Sequence, residues 1–407
     1  MTDSLRCPGM RDLLPGDMER FRRLEDTFRQ VCLGWGYGEV RTPTIEHLHL
    51  FTAAGTLSPQ MLERVYSFLD WDGWSGERVV LRPDSTIPVA RLYREQFASA
   101  PVTRLFYVQS VLRFAEGDAS REDWQCGVEL IGDTQPSGDI ELILMASEVL
   151  SRLGLPAELK LSDPGILRSL FSAAGLDSEK QLALYDRVLD GDLSALDDVQ
   201  AALPGAGASL AALLALEGEN AAYLGNLRTE IGPSISGIDP VLDELASISD
   251  VLSHLELAHR IAPVLVRDFE YYTGPVFYLY VDGQKVGGGG RYDALVSVGD
   301  RGSPASGFAL DMDALMPLLS GLPSAATGLT TVRPKADDTA SLRAAFELAR
   351  SLRAAGVRVE VGDKTLAPGD VQVVASDAGF ELRNNGAEPT SLETVDETVR
   401  AIAKSSS

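Results

Sequence analysis

The chain has 407 residues, 45% of them hydrophobic, with mean hydropathy near zero; that suffices for one large packed domain with smaller units attached. Its formal net charge is −23 with no run of Lys or Arg, so no global attraction to phosphate backbones is expected. The longest apolar run, Ser209 to Leu216, is too short to span a bilayer, and Met1 to Pro8 carries no apolar signal core. The expected protein is cytoplasmic, without a membrane or nucleic-acid partner. Cys7, Cys32 and Cys126 are odd in number and far apart, which fits neither a metal site nor a disulfide framework.

In chain order, Phe21, Leu24, Phe28, Val31 and Cys32 repeat at helical spacing, so a helix is predicted over 17–33 with Asp17 as its N-cap. Gly34, Gly36 and Gly38 stop it, and a strand follows over 39–46. Further strands are predicted over 105–115 and 125–132, an amphipathic helix over 138–154, and a short strand over 158–162. From 163 to 260 the chain is rich in Leu and Ala, with no strand-like alternation, and reads as a helical insertion broken once at Pro204–Gly207. Strands return over 275–281 and 285–289, joined at Asp282-Gly283, a good two-residue hairpin turn. One more strand over 306–310 runs into a helix from Asp311. After a linker over 320–328 the tail alternates helix (339–355), strands (357–361, 371–375, 380–383), a hairpin signal at Asn385-Gly386, and a last helix (393–404).

Candidate chemistry lies in four places. Asp84 and Thr86, between Pro83 and Pro88, suit a loop that bonds its own backbone and caps a helix, or one that meets a ligand. Gln125, Gly127 and Glu129 alternate onto one face of a strand. A face carrying an amide, a carboxylate and a glycine meets water or lines a polar pocket, and Arg113 shares it if the neighbouring strands pair. Arg267, Tyr271 and Tyr272 put a guanidinium beside two phenols; an arginine there serves a surface ion pair as readily as a ligand. The glycines at 287–290 fit a hairpin end and match neither a dinucleotide fingerprint nor a phosphate loop. The four histidines include His47 and His49 near a strand end and His254 and His259, five apart in a helical stretch, which is off the spacing of a helical metal pair. No metal site and no cofactor are predicted.

Together and in order, these segments resemble the histidyl-tRNA synthetase family from residue 8 to about 320. Gly9-Met-Arg-Asp-Leu-Leu-Pro-Gly16 looks like its N-terminal signature. Gly36-Tyr-Gly-Glu-Val-Arg-Thr-Pro43 looks like motif 1, the dimer element, and Arg113 to Glu129 like motif 2. Arg267–Phe277 and Gly289-Gly-Arg-Tyr-Asp293 resemble the histidine-specific motifs, and Gly307–Leu315 motif 3. The resemblance implies an α+β fold: a class II synthetase-like core (1–162 and 261–322) with a mostly antiparallel sheet flanked by helices, the helical insertion (163–260), and a small α/β domain (329–407) like a shortened anticodon-binding domain. It also implies that Glu129 and Tyr272 hold an imidazole, that Asp84 and Gln125 face an α-amino group, and that Arg113 and Arg267 face a carboxylate or an attached phosphate; Thr86 and Tyr271 complete that pocket.

The departures are as informative. The family's ATP-clamping arginine falls at Ala314, Asp311 adds an anion where a triphosphate needs cations, and the motif 2 loop Arg113-Phe-Ala-Glu-Gly-Asp-Ala-Ser120 is short and acidic. Fixed cations carry most of the stabilisation of developing phosphate charge, so adenylation is expected to be lost. Asp84 is also one methylene shorter than the family's glutamate. Arg82-Pro-Asp-Ser-Thr-Ile-Pro-Val-Ala-Arg91 resembles instead the regulatory subunits of ATP phosphoribosyltransferase, a paralogous group. That resemblance implies a non-catalytic protein of histidine biosynthesis, which partners the short-form ATP phosphoribosyltransferase catalytic subunit, pairs with itself through motif 1, and takes histidine as a feedback ligand. Most members of that group lack the C-terminal domain, so the tail is a departure. The alternatives are an active or weakly active histidyl-tRNA synthetase and a free-standing amino-acid-binding protein.

Overall fold

The structure is a computed structural model that describes residues 5–52, 59–71, 76–117, 119–132, 136–189, 192, 194–203, 214, 216–235, 237–265, 272–296, 303–321, 329–362, 371–384 and 388–405. Chain contacts divide it into two compact units, Met1–Ser320 and Gly321–Ser407.

The first unit opens with helix α1 (Pro15–Gly34), whose buried face is Phe21, Leu24, Phe28, Val31 and Cys32. The helix starts earlier than the sequence predicted. Pro15 occupies the first turn, where a missing N–H costs nothing, and Asp17 is not the N-cap but sits a turn in, reaching back to accept the Leu14 N–H at 3.0 Å. Strand β1 (Gly38–Glu39) follows, then β2 (Ile45–His47), the short helices α2 (Leu48–Thr52) and α3 (Pro59–Glu63), and strands β3 (Ser67–Trp71) and β4 (Gly76–Leu81). Helix α4 (Thr86–Leu92) leads to the long strands β5 (Thr103–Leu112) and β6 (Glu122–Ile131), helix α5 (Ser137–Leu153) and strand β7 (Glu158–Ser162).

The insertion contributes α6 (Pro164–Ala173), α7 (Ser178–Leu189), α8 (Ala195–Ala202), α9 (Ala221–Ile231) and α10 (Ile238–His254). The break expected at Pro204–Gly207 lies outside the described residues. The insertion ends sooner than predicted, because β8 (His259–Ile261) is a strand paired in parallel with β7. His254 and His259 therefore do not share a helix: His254 ends α10, and buried His259 bonds Ser249 Oγ at 2.7 Å and the Leu257 carbonyl at 2.9 Å. The core resumes with β9 (Val276–Val281), β10 (Gln284–Arg291), β11 (Ala305–Asp311) and helix α11 (Met312–Leu318).

Eight strands form one sheet in the order β1-β5-β6-β11-β10-β9-β7-β8. Its interior pairs are antiparallel, while β1 and β8 at the edges pair in parallel. One face lies under α1 and α5, where Phe28, Phe106, Phe277 and Phe308 meet edge to face or tilted. A separate three-stranded sheet, β2-β4-β3, packs against α2, with Val80, Phe51 and Ile87 in one apolar cluster. Sequence reasoning left β3 and β4 unassigned.

The second unit holds β12 (Thr330–Pro334), α12 (Thr339–Ala354), β13 (Val359–Val361), β14 (Val371–Ser376), β15 (Gly379–Asn384), β16 (Thr390–Leu392) and α13 (Val395–Ser405). Its sheet runs β13-β12-β14-β15-β16 over a core centred on Val332, Leu348, Leu352, Val373 and Ile402. The hairpin signal at Asn385-Gly386 and most of the predicted linker lie outside the described residues.

Candidate functional site

The candidate residues fall on one face of the large sheet, and register says which of them share it. Leu105 pairs with Glu129, Glu129 with Gly307, Gly307 with Gly290, and Gly290 with Val276. The next row runs Tyr107, Gly127, Ala309, Gly288, Tyr278, and the one beyond joins Gln109, Gln125 and Asp311. Alternation puts these rows on the face turned away from α1 and α5. Small residues in its middle let neighbours lie flat. A Cβ on Gly127 would fall 2.1 Å from Tyr107 Cζ, and one on Gly307 would fall 2.1 Å from Glu129 Oε2. Those two glycines are there because a tyrosine ring and a carboxylate cross over them.

Glu129 is the centre. It is 2% exposed, takes a hydrogen bond from Tyr107 Oη at 3.2 Å, and takes another, on its second oxygen, from Tyr292 Oη. Burial pushes its pKa up to about 8; the hydrogen bonds from Tyr292, Thr86 and Tyr107 oppose that, and the nearby Asp84 charge adds to it. Burial also holds the Tyr107 phenol well above its ordinary value.

The loop carrying Asp84 and Thr86 is pinned by buried Arg82. Its guanidinium donates to the carbonyls of Thr42 (2.9 Å), Pro43 (2.8 Å) and Ser110 (3.1 Å). A rigid fork of donors matches such a set of carbonyls. Asp84 Oδ1 accepts the Ile87 N–H at 2.9 Å, so it caps α4 locally while its charge still reaches Glu129. Arg113, just past β5, donates Nε to the Pro83 carbonyl at 2.7 Å and lies 4.0 Å from Asp123.

The structure thus brings Asp84, Thr86 and Glu129 together, with Arg113 against the same loop and Gln125 on the same sheet face. Tyr272, half-buried, precedes β9. Arg267 and Tyr271 lie outside the described residues. Sequence reasoning missed Tyr107 and Tyr292 as partners of Glu129. The alternation that selected Glu129 would have selected Tyr107, had the two strands been put in register.

At the end of these rows β11 runs through Asp311 into α11, which packs against α1 and the sheet. Asp311 caps it, accepting the N–H groups of Asp313 at 2.9 Å and Ala314 at 3.0 Å. Burial raises the Asp311 pKa, the Ala314 N–H opposes that, and Asp123 adds to it. The cations here are engaged: Arg11 pairs with Asp313, and Arg113 faces Asp123 and Asp311. Ala314 itself is buried, 9% exposed. Arg291, in the motif-like Gly289–Asp293 segment, points to the opposite face, where it is buried against Asp139 and Glu244. Among the described residues no three His, Cys, Asp or Glu side chains gather as a metal site, and no helix is long and apolar enough to cross a membrane.

Comparison with known proteins bears on this arrangement. The family model described as histidyl-tRNA synthetase matches residues 9–315. The chain is 41% identical over 385 residues to a Dehalococcoides mccartyi protein named ATP phosphoribosyltransferase regulatory subunit, covering 93% of each. It is 32% identical over 356 residues to a Methanosarcina acetivorans histidine–tRNA ligase, covering 84% of this chain and 82% of that one. A crystal structure from Bacillus halodurans, titled ATP phosphoribosyltransferase regulatory subunit/histidyl-tRNA synthetase, superposes with a TM-score of 0.73 at 27% identity, covering 89% of this chain and 93% of that chain. The Dehalococcoides alignment is too long to stop before the tail, so that relative shares at least part of it. The chain belongs to the histidyl-tRNA synthetase family.

Proposed function

We propose that this chain is the non-catalytic regulatory subunit of ATP phosphoribosyltransferase, binding a short-form catalytic subunit and reporting histidine to it. The observation that carries the reading is the anionic end of the ligand face. Position 314, where the resemblance expects an ATP-clamping arginine, is a buried alanine, and among the described residues Asp313, Asp123 and Asp311 face the Arg11 and Arg113 guanidinium groups. Adenylation needs uncommitted positive charge around the phosphates. The amino-acid end keeps its polar set: Glu129, Tyr107 and Tyr292 suit an imidazole, and Asp84 suits an ammonium group. Arg267, Tyr271, Tyr272, Gln125 and Thr86 complete the proposed pocket. Two copies pairing through the motif 1 segment belong to the same reading, as does a cytoplasmic location.

Retained Arg113 and the 32% identity to histidine–tRNA ligases favour residual aminoacylation as the second reading. Pyrophosphate exchange with histidine, ATP and magnesium separates the two. The proposal expects exchange at the level of a blank, and turnover comparable to a synthetase overturns it. Calorimetry with histidine tests the pocket: wild-type binding and its loss in Glu129→Ala are expected, and undiminished binding in the variant removes Glu129 from it.

A further inference from the structure

Tyr272 is held by the helical insertion on two counts. Its side chain packs against the insertion's apolar core, built around Ile166, Leu170, Tyr185 and Leu242. Its carbonyl accepts a hydrogen bond from Nη2 of Arg168, which stands on α6. Arg168 is half-buried; burial lowers its pKa, and Asp163, the residue that caps α6 through the Gly165 N–H at 2.6 Å, opposes that shift. A guanidinium fixed in this way orients a carbonyl far better than a solvated side chain does.

The same core reaches the ligand face directly. Val276 and Tyr278 belong to it, and by register they continue the rows that hold Glu129 and Tyr107. Between Glu129 and Val276 stand only Gly307 and Gly290. In the histidine reading, one wall of the pocket is the insertion's own core, the same core against which Tyr272 packs.

We propose that Arg168 is a positioning residue: it sets Tyr272 for the ligand and so couples occupancy of the pocket to the packing of the helical insertion. This rests on the reading of the pocket as a histidine site given above. A ligand that selects one setting of Tyr272 shifts the insertion by the same coupling, since linkage between two sites is reciprocal.

The test uses the full chain, with histidine as the probe. Calorimetry on Arg168→Gln is expected to show histidine binding weakened about tenfold, the size of one charge-assisted hydrogen bond. Arg168→Lys, which keeps the charge without the fork, should fall between it and wild type. Hydrogen exchange should show histidine-dependent protection of residues 164–189 in wild type and little in Arg168→Gln at saturating histidine. Unchanged affinity in either folded variant, or no protection of that segment in wild type, overturns the proposal. Should Arg168→Gln fail to fold, Arg168→Lys alone decides it. Glu129→Ala and Tyr272→Ala keep the two readings apart. If both leave binding intact, the pocket itself is misassigned; if both abolish it while the Arg168 variants bind normally, only the coupling falls.

Discussion

Glu129 has an environment that makes a measurable demand on pH. Its folded pKa, about 8 through burial, lies above the ordinary carboxylate value of an unfolded chain. Between those values the folded state holds a proton that the unfolded state has released, so this group's contribution to stability is full below the lower value and is lost as pH rises through about 8. Unfolding followed from pH 5 to 8 should fall less steeply in Glu129→Gln, the difference approaching ~1.4 kcal/mol per pH unit; parallel profiles would contradict the assignment. Gly307 is a second test at this scale. Gly307→Ala drives a methyl into Glu129 Oε2 and to within 2.6 Å of the Val128 carbonyl, so a loss of ~1–3 kcal/mol in unfolding free energy is expected, together with weaker histidine binding. The sequence showed Glu129 because alternation put a carboxylate, an amide and a glycine on one strand face. It concealed Tyr107 and Tyr292 because a buried tyrosine looks like any core aromatic until the strand pairing supplies its partner.

At the scale of elements, the cap of α11 and the tie between β10 and α5 do opposite kinds of work. Asp311 satisfies backbone N–H groups of the first turn of α11, and Asp311→Ala should cost ~1 kcal/mol in thermal or denaturant unfolding. Arg291 links β10 to α5 through Asp139 and to α10 through Glu244, with Ser306 Oγ donating to Asp139 at 2.7 Å. Arg291→Met strips the counter-charge from a buried carboxylate, so a larger loss of ~3–5 kcal/mol is expected; a loss as small as that of the cap variant would mean that Asp139 is neutral in the fold. Helices such as α1 and α5 were legible from spacing because each buries a single stripe. Strands β3 and β4 were not, since Ser67–Trp71 is exposed along its whole length and offers no alternation to read. The cap of α1 was misplaced because an aspartate in the first turn and an aspartate at the cap look alike from composition; here Asp17 bonds the Leu14 N–H from inside the helix.

For the whole molecule, the sequence disclosed the family through the order of its motifs, none of which is specific alone. The change of role proposed above was suggested by one missing charge, at Ala314. What the sequence did not disclose is that the surviving Arg11 and Arg113 are already committed to carboxylates, because ion pairs between segments far apart in the chain have no local signature. On the proposed reading, a chain with an amino-acid pocket and no usable phosphate site acts through a partner. The decisive measurement is the rate of a short-form ATP phosphoribosyltransferase titrated with this chain, with and without histidine. The account predicts that the chain forms a complex with the enzyme and changes its rate, and that histidine inhibits the complex through wild type but not through Glu129→Ala. No complex and an unchanged rate at every ratio of the two proteins would contradict it.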